Sequence, residues 1–284
     1  MYPRKRKTSI VVALPASTTA DIPHLREKTF RLGFIGRTLA IFRVDKVLIY
    51  RDKPENQDFK VMGKILEYMA TPQYLRKKIF RLTPELRYAG VLPPLRTPDH
   101  PTRRLSSQLF DGEIRKGLVL KSSKKGSFVD VGVEKPVFVR ERVKAGKIVN
   151  LKIFRVNGEI KGEIVSLDEI PYYWGFSVEL VKQSIGEIVK SGKFNLKIST
   201  SKYGKPVEEV VDGLREKWLN SKNVLVVFGS STEGIKEILA RENLKPEDVF
   251  DFNLNMIKSQ GTETVRVEEA LEATLAIFNF LFED

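Results

Sequence analysis

Two stretches in the last third of the chain combine residue types and spacing suited to holding a ligand. They are Phe228-Gly229-Ser230-Ser231-Thr232-Glu233-Gly234 and Asn255-Met256-Ile257-Lys258-Ser259-Gln260-Gly261-Thr262-Glu263-Thr264-Val265-Arg266, each following a short apolar run. In an open α/β sheet such polar, glycine-bearing loops gather at the carboxyl edge of the strands. Their exposed backbone N–H and C=O groups there suit a nucleotide-like ligand. Gly229 to Gly234 has half of a phosphate-loop pattern, but Ile235 stands where lysine is required and Lys236 comes one position late. No Gly-x-Gly-x-x-Gly follows any expected strand, so ATP hydrolysis and dinucleotide chemistry both recede. A helix cap built from Ser231, Thr232 and Glu233, with Gly234 packed on the sheet, would explain the first loop without any ligand. The second loop is harder to dismiss, because Gln260 to Arg266 exceeds what an ordinary βα connection needs. Glu263 and Arg266 in it suit catalysis, and a capping or intrahelical ion pair suits them as well.

Other chemistries find few residues. The 284-residue chain has no cysteine, which excludes disulfides, zinc–cysteine sites and thiol nucleophiles. His24 and His100 are its two histidines; each is isolated from serine-elbow or metal-ligand spacing, so both read as structural and no metal site is expected. No apolar run approaches the roughly 20 residues of a membrane span. Met1 to Lys7 precedes a stretch too soon polar for a secretion signal, so a soluble, cytoplasmic protein is expected. High Lys, Arg and Glu without Cys fits a thermophile.

The net charge of +13 is regional: residues 1–95 carry +11, residues 96–161 carry +9 and residues 162–284 carry −7. A polyanion such as RNA would be drawn to the first two regions, leaving the acidic one to bind something else or to pack.

The elements that must position these loops follow from hydrophobic periodicity. Ser9 to Leu14 reads as a buried strand; Ile22, Leu25, Phe30, Phe34, Leu39 and Phe42 as the face of a helix; Val47 to Tyr50 as a second strand; and Phe59 to Met69 as a second helix. Five of the fourteen prolines fall between Pro84 and Pro101, which marks a domain boundary. From Asp111 to Ser166 the pattern changes to five short alternating strands: Ile114–Lys121, Ser127–Val133, Pro136–Arg140, Lys147–Phe154 and Glu159–Ser166. Turns at Lys124-Lys125-Gly126 and Asn157-Gly158 join them into a small OB-type barrel. Lys121, Lys124, Lys125, Arg140, Arg142 and Lys144 on that barrel are the expected RNA-binding residues; Phe128 and Phe138 read equally as core or as stacking rings.

After Pro171 the α/β rhythm returns. Helices are expected near Ser177–Val189, Val207–Leu219, Glu233–Ala240 and Glu268–Phe282, with strands at Phe194–Ser199, Val224–Phe228 and Val249–Phe252. Tyr172-Tyr173-Trp174 should cover apolar surface at the return. The expected organisation is a discontinuous α/β domain, residues 1–90 and 167–284, with residues 91–166 as an inserted barrel and its Pro-rich linker.

Gln260-Gly261-Thr262-Glu263-Thr264-Val265-Arg266 followed by Glu268-Glu269-Ala270-Leu271 resembles the stretch before the last helix in the SPOUT class of RNA methyltransferases, in the archaeal and eukaryotic branch with an inserted OB-like domain. Gly36 to Asp45 and Pro93 to Pro101 resemble two further segments of that family, so the likeness covers nearly the whole chain. Lys258-Ser259 stand where relatives commonly have Pro-Gly, and Asp99 replaces a frequent histidine. The resemblance implies a trefoil-knotted parallel-sheet domain, an exception to unknotted folds. It implies S-adenosylmethionine as cofactor, a homodimer whose second subunit completes the active site, and an RNA substrate, with ribosomal RNA first in line. A non-catalytic RNA-binding or ribosome-assembly protein on the same fold is the alternative. By position, the resemblance places Thr200, Ser201, Phe228, Gly229, Ser230, Asn255, Ile257, Gln260, Gly261 and Thr262 around the cofactor, and Arg37 and Glu263 at the catalytic centre.

Overall fold

The computed structural model describes residues 2–53 and 58–282. In chain order its elements are β1 (Ser9–Pro15), α1 (Leu25–Ile41), β2 (Lys46–Tyr50), α2 (Asp58–Ala70), α3 (Gln73–Ile79), β3 (Ile114–Ser123), β4 (Gly126–Asp130), β5 (Val137–Val139), β6 (Ile148–Val156) and β7 (Glu159–Val165). Then come β8 (Ser177–Val181), α4 (Ile185–Lys190), β9 (Leu196–Pro206), α5 (Val211–Leu219), β10 (Asn223–Val227), α6 (Ile235–Ala240), α7 (Pro246–Val249), β11 (Phe252–Asn255) and α8 (Val267–Phe282). They form two compact units: the first five residues through Lys5, Thr71–Thr83 and Leu95–Gly175 make one, and Arg6–Ala70, Pro84–Pro94 and Phe176 onward make the other.

The second unit is built on a six-stranded sheet ordered β11-β9-β10-β1-β2-β8, and every ladder in it is parallel. Parallel strands are covered on both faces and therefore read as continuous apolar runs, which is the reason Ser9–Pro15 is almost entirely buried. Val11, Ala13, Leu48, Leu225 and Val227 pack on one face with Ile185 and Ile188 of α4, Ile235 and Leu239 of α6 and Val249 of α7. Elsewhere in this unit α1 packs on α2 and α8, and α8 on α5.

Three expectations need correction here. Ser177–Val181 is the edge strand β8, paired to β2 from Lys46↔Ser177 to Tyr50↔Val181, and the helix begins only after Ser184, whose hydroxyl accepts from Glu187 N. Val249 ends the short helix α7, and the strand runs from Phe252 to Asn255. The buried face of α1 is Leu32, Ile35 and Leu39, whereas Phe30 and Phe34 are 55% and 52% exposed. The expected helix at Val207–Leu219 starts with a 3-10 turn and becomes α5 only at Val211, and Gln73–Ile79 is a helix that periodicity does not single out.

The other unit contains the closed barrel β3-β4-β5-β7-β6, antiparallel except where β5 meets β7. This is the five-stranded OB-type arrangement expected for the insert. Val119, Val129, Val131, Val137, Val139, Leu151 and Ile153 fill it from alternate positions. Trp174 packs with Ile114, Val165 and Ile170 and donates from Nε1 to Asn150 Oδ1 at 2.8 Å, which covers apolar surface as expected.

The same unit buries a charge cluster. Asp99 is fully buried, accepts from Lys116 Nζ at 2.5 Å and meets His100 Nδ1 at 3.1 Å; Thr97 Oγ1 is 2.8 Å from the same ring nitrogen, so His100 is structural. Burial alone would raise the Asp99 pKa, but the Lys116 ammonium and then His100 outweigh it and hold it well below the usual range. Because the folded-state value is depressed, the stabilisation is present above the unfolded carboxylate pKa of about 3.9 and is lost as pH falls below it. Asp99→Asn should therefore flatten the acid limb of urea melts recorded between pH 5 and 2, and cost about 3 kcal/mol at pH 7 by leaving Lys116 without its carboxylate.

Candidate active site

The carboxyl ends of β9, β10 and β11 converge on a cleft of about 720 Å³ in the sheet-containing unit. Its β10 side is fixed first. Phe228 N donates to Ala13 O at 3.1 Å, and the buried Tyr50 hydroxyl donates to Phe228 O at 3.1 Å. Burial pushes the Tyr50 hydroxyl well above the usual tyrosine range, so it stays a donor.

The loop then closes on itself. Ser230 Oγ accepts from Thr232 N at 3.2 Å and Glu233 N at 2.9 Å, while Ser230 N donates to Glu233 O at 2.7 Å. This replaces the helix-cap alternative: Gly234 is the N-cap residue of α6, and no side chain caps that helix. The turn is tethered outward as well. Ser231 Oγ donates to Ser17 O at 3.3 Å; Glu233 is paired with Arg241 and, at 3.2 Å, with Lys53; and Arg241 Nη1 donates to Asp52 O at 2.9 Å. Burial works against the Glu233 carboxylate, but those two cations hold its pKa below the usual value.

Gly229 has no room for a side chain. A Cβ there would lie 2.8 Å from Glu233 O and 3.0 Å from Gly234 Cα, both backbone.

On the β11 side, Asn255 donates from Nδ2 to Lys202 O and accepts at Oδ1 from Ile257 N, both at 3.0 Å, which couples the ends of β9 and β11. The chain turns at Ser259 with a left-handed φ of 54°, a conformation that suits the Pro-Gly of relatives better than Lys-Ser. Gln260 Nε2 donates to Thr262 O at 2.9 Å and Glu263 O at 3.2 Å, so its side chain braces the loop from inside. Glu269 Oε2 accepts from Arg266 N at 2.9 Å at the start of α8. Arg31 Nε meets Glu268 at 3.1 Å while its Nη1 meets Asp21 at 2.6 Å, which ties that helix start to the loop after β1.

Thr200, Ser201, Phe228, Gly229, Ser230, Asn255, Ile257 and Gln260 all line the cleft. Gly261, Thr262 and Glu263 do not; they are exposed on the outer side of the loop, and Glu263 contributes its carbonyl to Gln260 and Lys202. Arg37 sits on α1, half-buried, donating from Nη1 to Pro94 O at 3.1 Å, away from this lining.

Sequence reasoning passed over Lys202, Tyr203, Met256, Val267 and Thr274, which also line it. Thr274 carried a readable signal: a hydroxyl in the apolar series Val267, Leu271, Leu275 and Phe278. Its Oγ1 is fully buried and has no hydrogen-bond partner among the described residues, a polar group facing a polar, ligand-sized space. The walls thus suit a ligand with an adenine-like plane and several acceptors and donors.

On the barrel, Lys121, Lys124, Lys125, Arg140, Arg142 and Lys144 are all exposed. Buried Ser127 brings two of their segments together, donating to Glu141 O at 2.8 Å and accepting from Val143 N at 2.9 Å. Among the described residues no helix is long and apolar enough to cross a membrane, and no group of three or more His, Asp or Glu stands together as a metal site.

A parallel α/β sheet carrying a nucleotide-sized cleft on its carboxyl edge, with an OB-like barrel inserted into the chain, is the architecture expected of a methyltransferase acting on RNA. The family described as "Putative RNA methyltransferase" matches residues 9–278, and the chain belongs to it. An uncharacterised protein of Halobacterium salinarum is 31% identical, the match covering 93% of this chain and 96% of that one. The 28S rRNA (uridine-N(3))-methyltransferases of Mus musculus and Homo sapiens are each 30% identical, over 95% and 96% of this chain and 76% and 78% of theirs.

Proposed function

We propose that this protein transfers a methyl group from S-adenosylmethionine to ribosomal RNA, at a base nitrogen such as uridine N3, as a cytoplasmic homodimer with a trefoil-knotted catalytic domain. The observation that carries the reading is the cleft at the ends of β9, β10 and β11, with a glycine that admits no side chain and a buried threonine hydroxyl without a partner. The rRNA substrate and its nitrogen rest on the names of the mouse and human relatives.

Backbone groups of Phe228, Gly229, Asn255 and Ile257 would hold the adenine and methionine parts of the cofactor, and Thr274 would supply a hydroxyl contact. S-Adenosylmethionine supplies an electrophilic methyl on a sulfonium, so the protein must align it, exclude water and help the target nitrogen lose its proton. Arg37 is the residue we assign to that last task, its planar fork stabilising negative charge on the uracil oxygens. Within one chain Arg37 lies off the cleft, so the assignment requires the arginine of a second copy. A face for that copy is available on α1, where Phe30, Phe34 and Ile41 are more than half exposed and Phe30 and Phe34 stand edge to face with ring centroids 4.9 Å apart.

Calorimetric titration with S-adenosylmethionine and S-adenosylhomocysteine, with ATP and NAD as controls, tests the reading. Selective, roughly micromolar binding is expected. A folded, dimeric sample that binds neither would favour an RNA-binding assembly protein.

A further inference from the structure

The outer surface of the barrel carries a cross-strand row that its core does not need. Following the register around the barrel, Lys121 on β3 stands opposite Phe128 on β4, Phe128 opposite Phe138 on β5, Phe138 opposite Lys161 on β7, and Lys161 opposite Phe154 on β6. The alternate positions, Val129, Val137, Val139, Leu151 and Ile153, already fill the interior. Phe128 is 41% exposed, an apolar surface that solvent penalises unless something covers it.

The two central rings are held in place. Phe128 and Phe138 have centroids 5.3 Å apart and ring planes inclined by 59°. Phe138 rests over the bare backbone of Gly126, where a Cβ would fall 2.8 Å from its Cζ and 2.2 Å from Val139 O. Gly126 has φ +141°, so the turn after Lys124-Lys125 both brings cations beside the rings and keeps side chains off them. Arg140 and Arg142 leave the end of β5 on the same edge, with Glu141 between them, and Glu159 and Glu163 flank Lys161 farther along β7. Positive charge therefore concentrates on the β3–β5 side of the rings.

We propose that Phe128 and Phe138 form a stacking platform for unpaired nucleotides of the substrate RNA, with Lys121, Lys124, Arg140 and Lys161 engaging the adjoining phosphates. An aromatic face on the outside of a strand is reachable only by bases whose own faces are free. In a duplex those faces are covered by neighbouring pairs, so the platform selects single-stranded or looped RNA. This rests on the RNA-substrate reading above and adds the structural form of the RNA that the barrel takes.

The test uses the full-length protein and a short oligoadenylate carrying one 2-aminopurine, compared with the same strand in a duplex, over a salt series. The wild-type protein should bind the single strand more tightly than the duplex and change the 2-aminopurine emission by stacking. Phe128→Leu, which keeps the apolar bulk but removes the ring, should weaken single-strand binding about tenfold and abolish the emission change, with the salt dependence unaltered. Lys121→Ala should instead lower the slope of log K against log salt by about one while preserving the emission change. Phe128→Trp should retain the wild-type affinity, which separates loss of stacking from loss of folding. Single-strand binding and emission unchanged by Phe128→Leu, or equal affinity for the duplex, would overturn the platform while leaving RNA binding standing. A wild-type protein that binds neither RNA form but still binds the cofactor would overturn the barrel's role in substrate binding altogether.

Discussion

Gly229→Val should raise the dissociation constant for S-adenosylmethionine at least about 100-fold in calorimetry and extinguish methyl transfer. The argument is steric and local. The added Cβ meets Glu233 O and Gly234 Cα, which are backbone atoms and cannot rotate away as a side-chain end would. Relief requires the turn closed by Ser230 to open, and that turn is pinned by Ser17, Lys53, Asp52 and Arg241, so the displacement is forced into the cleft. A shift of about 1 Å in a positioning loop is enough for a hundredfold loss. The β10 ladder ends at Val227, so the sheet should survive and the variant should melt cooperatively. Binding within a few-fold of wild type would show that the cofactor does not touch this loop.

Arg37→Ala should lower methyl transfer by roughly 10²–10³ while leaving cofactor affinity unchanged, because the residue would act on developing charge and not on the bound donor. If it acts across a twofold axis, mixing Arg37→Ala with Gly229→Val after dissociation should restore roughly a quarter of wild-type activity. Half of the dimers are then mixed, and each has one site with both an intact loop and an intact arginine. Full turnover by Arg37→Ala alone would remove it from the mechanism, and two inactive variants that never complement would remove the second subunit from the site.

The continuous strands were legible because a doubly covered parallel sheet writes itself as unbroken apolar runs, as in Ser9–Leu14 and Val224–Phe228. The barrel was legible for the opposite reason, since strict alternation at Val129, Val131 and Val149, Leu151, Ile153 leaves one reading. Ser177–Val181 was misread because its spacing suits a helix and only pairing with β2 makes it a strand; the Ser184–Glu187 capping box, which marks the true helix start, was available in the sequence. Lys245-Pro246 likewise announces α7, with proline in its first turn. In the cleft, residues on strand ends were found and Thr274 was missed, because a helix position enters the site only through tertiary packing. Phe30 and Phe34 were assigned to the core by periodicity, which cannot distinguish an apolar face turned inward from one left for another chain.

The order β11-β9-β10-β1-β2-β8 also carries a message about synthesis. The barrel's five strands lie within Ile114–Val165, so they can close while the rest of the chain is still emerging from the ribosome. β1, made first, takes β2 on one side early but waits for Asn223–Val227 on the other, and the edge strand β11 is completed only at Asn255. Such long-range parallel pairing is slow and leaves apolar strand edges open meanwhile. The nascent chain should thus carry a finished RNA-binding module ahead of an unfinished sheet, and its dependence on chaperones should be concentrated in the interval before the last strands are released.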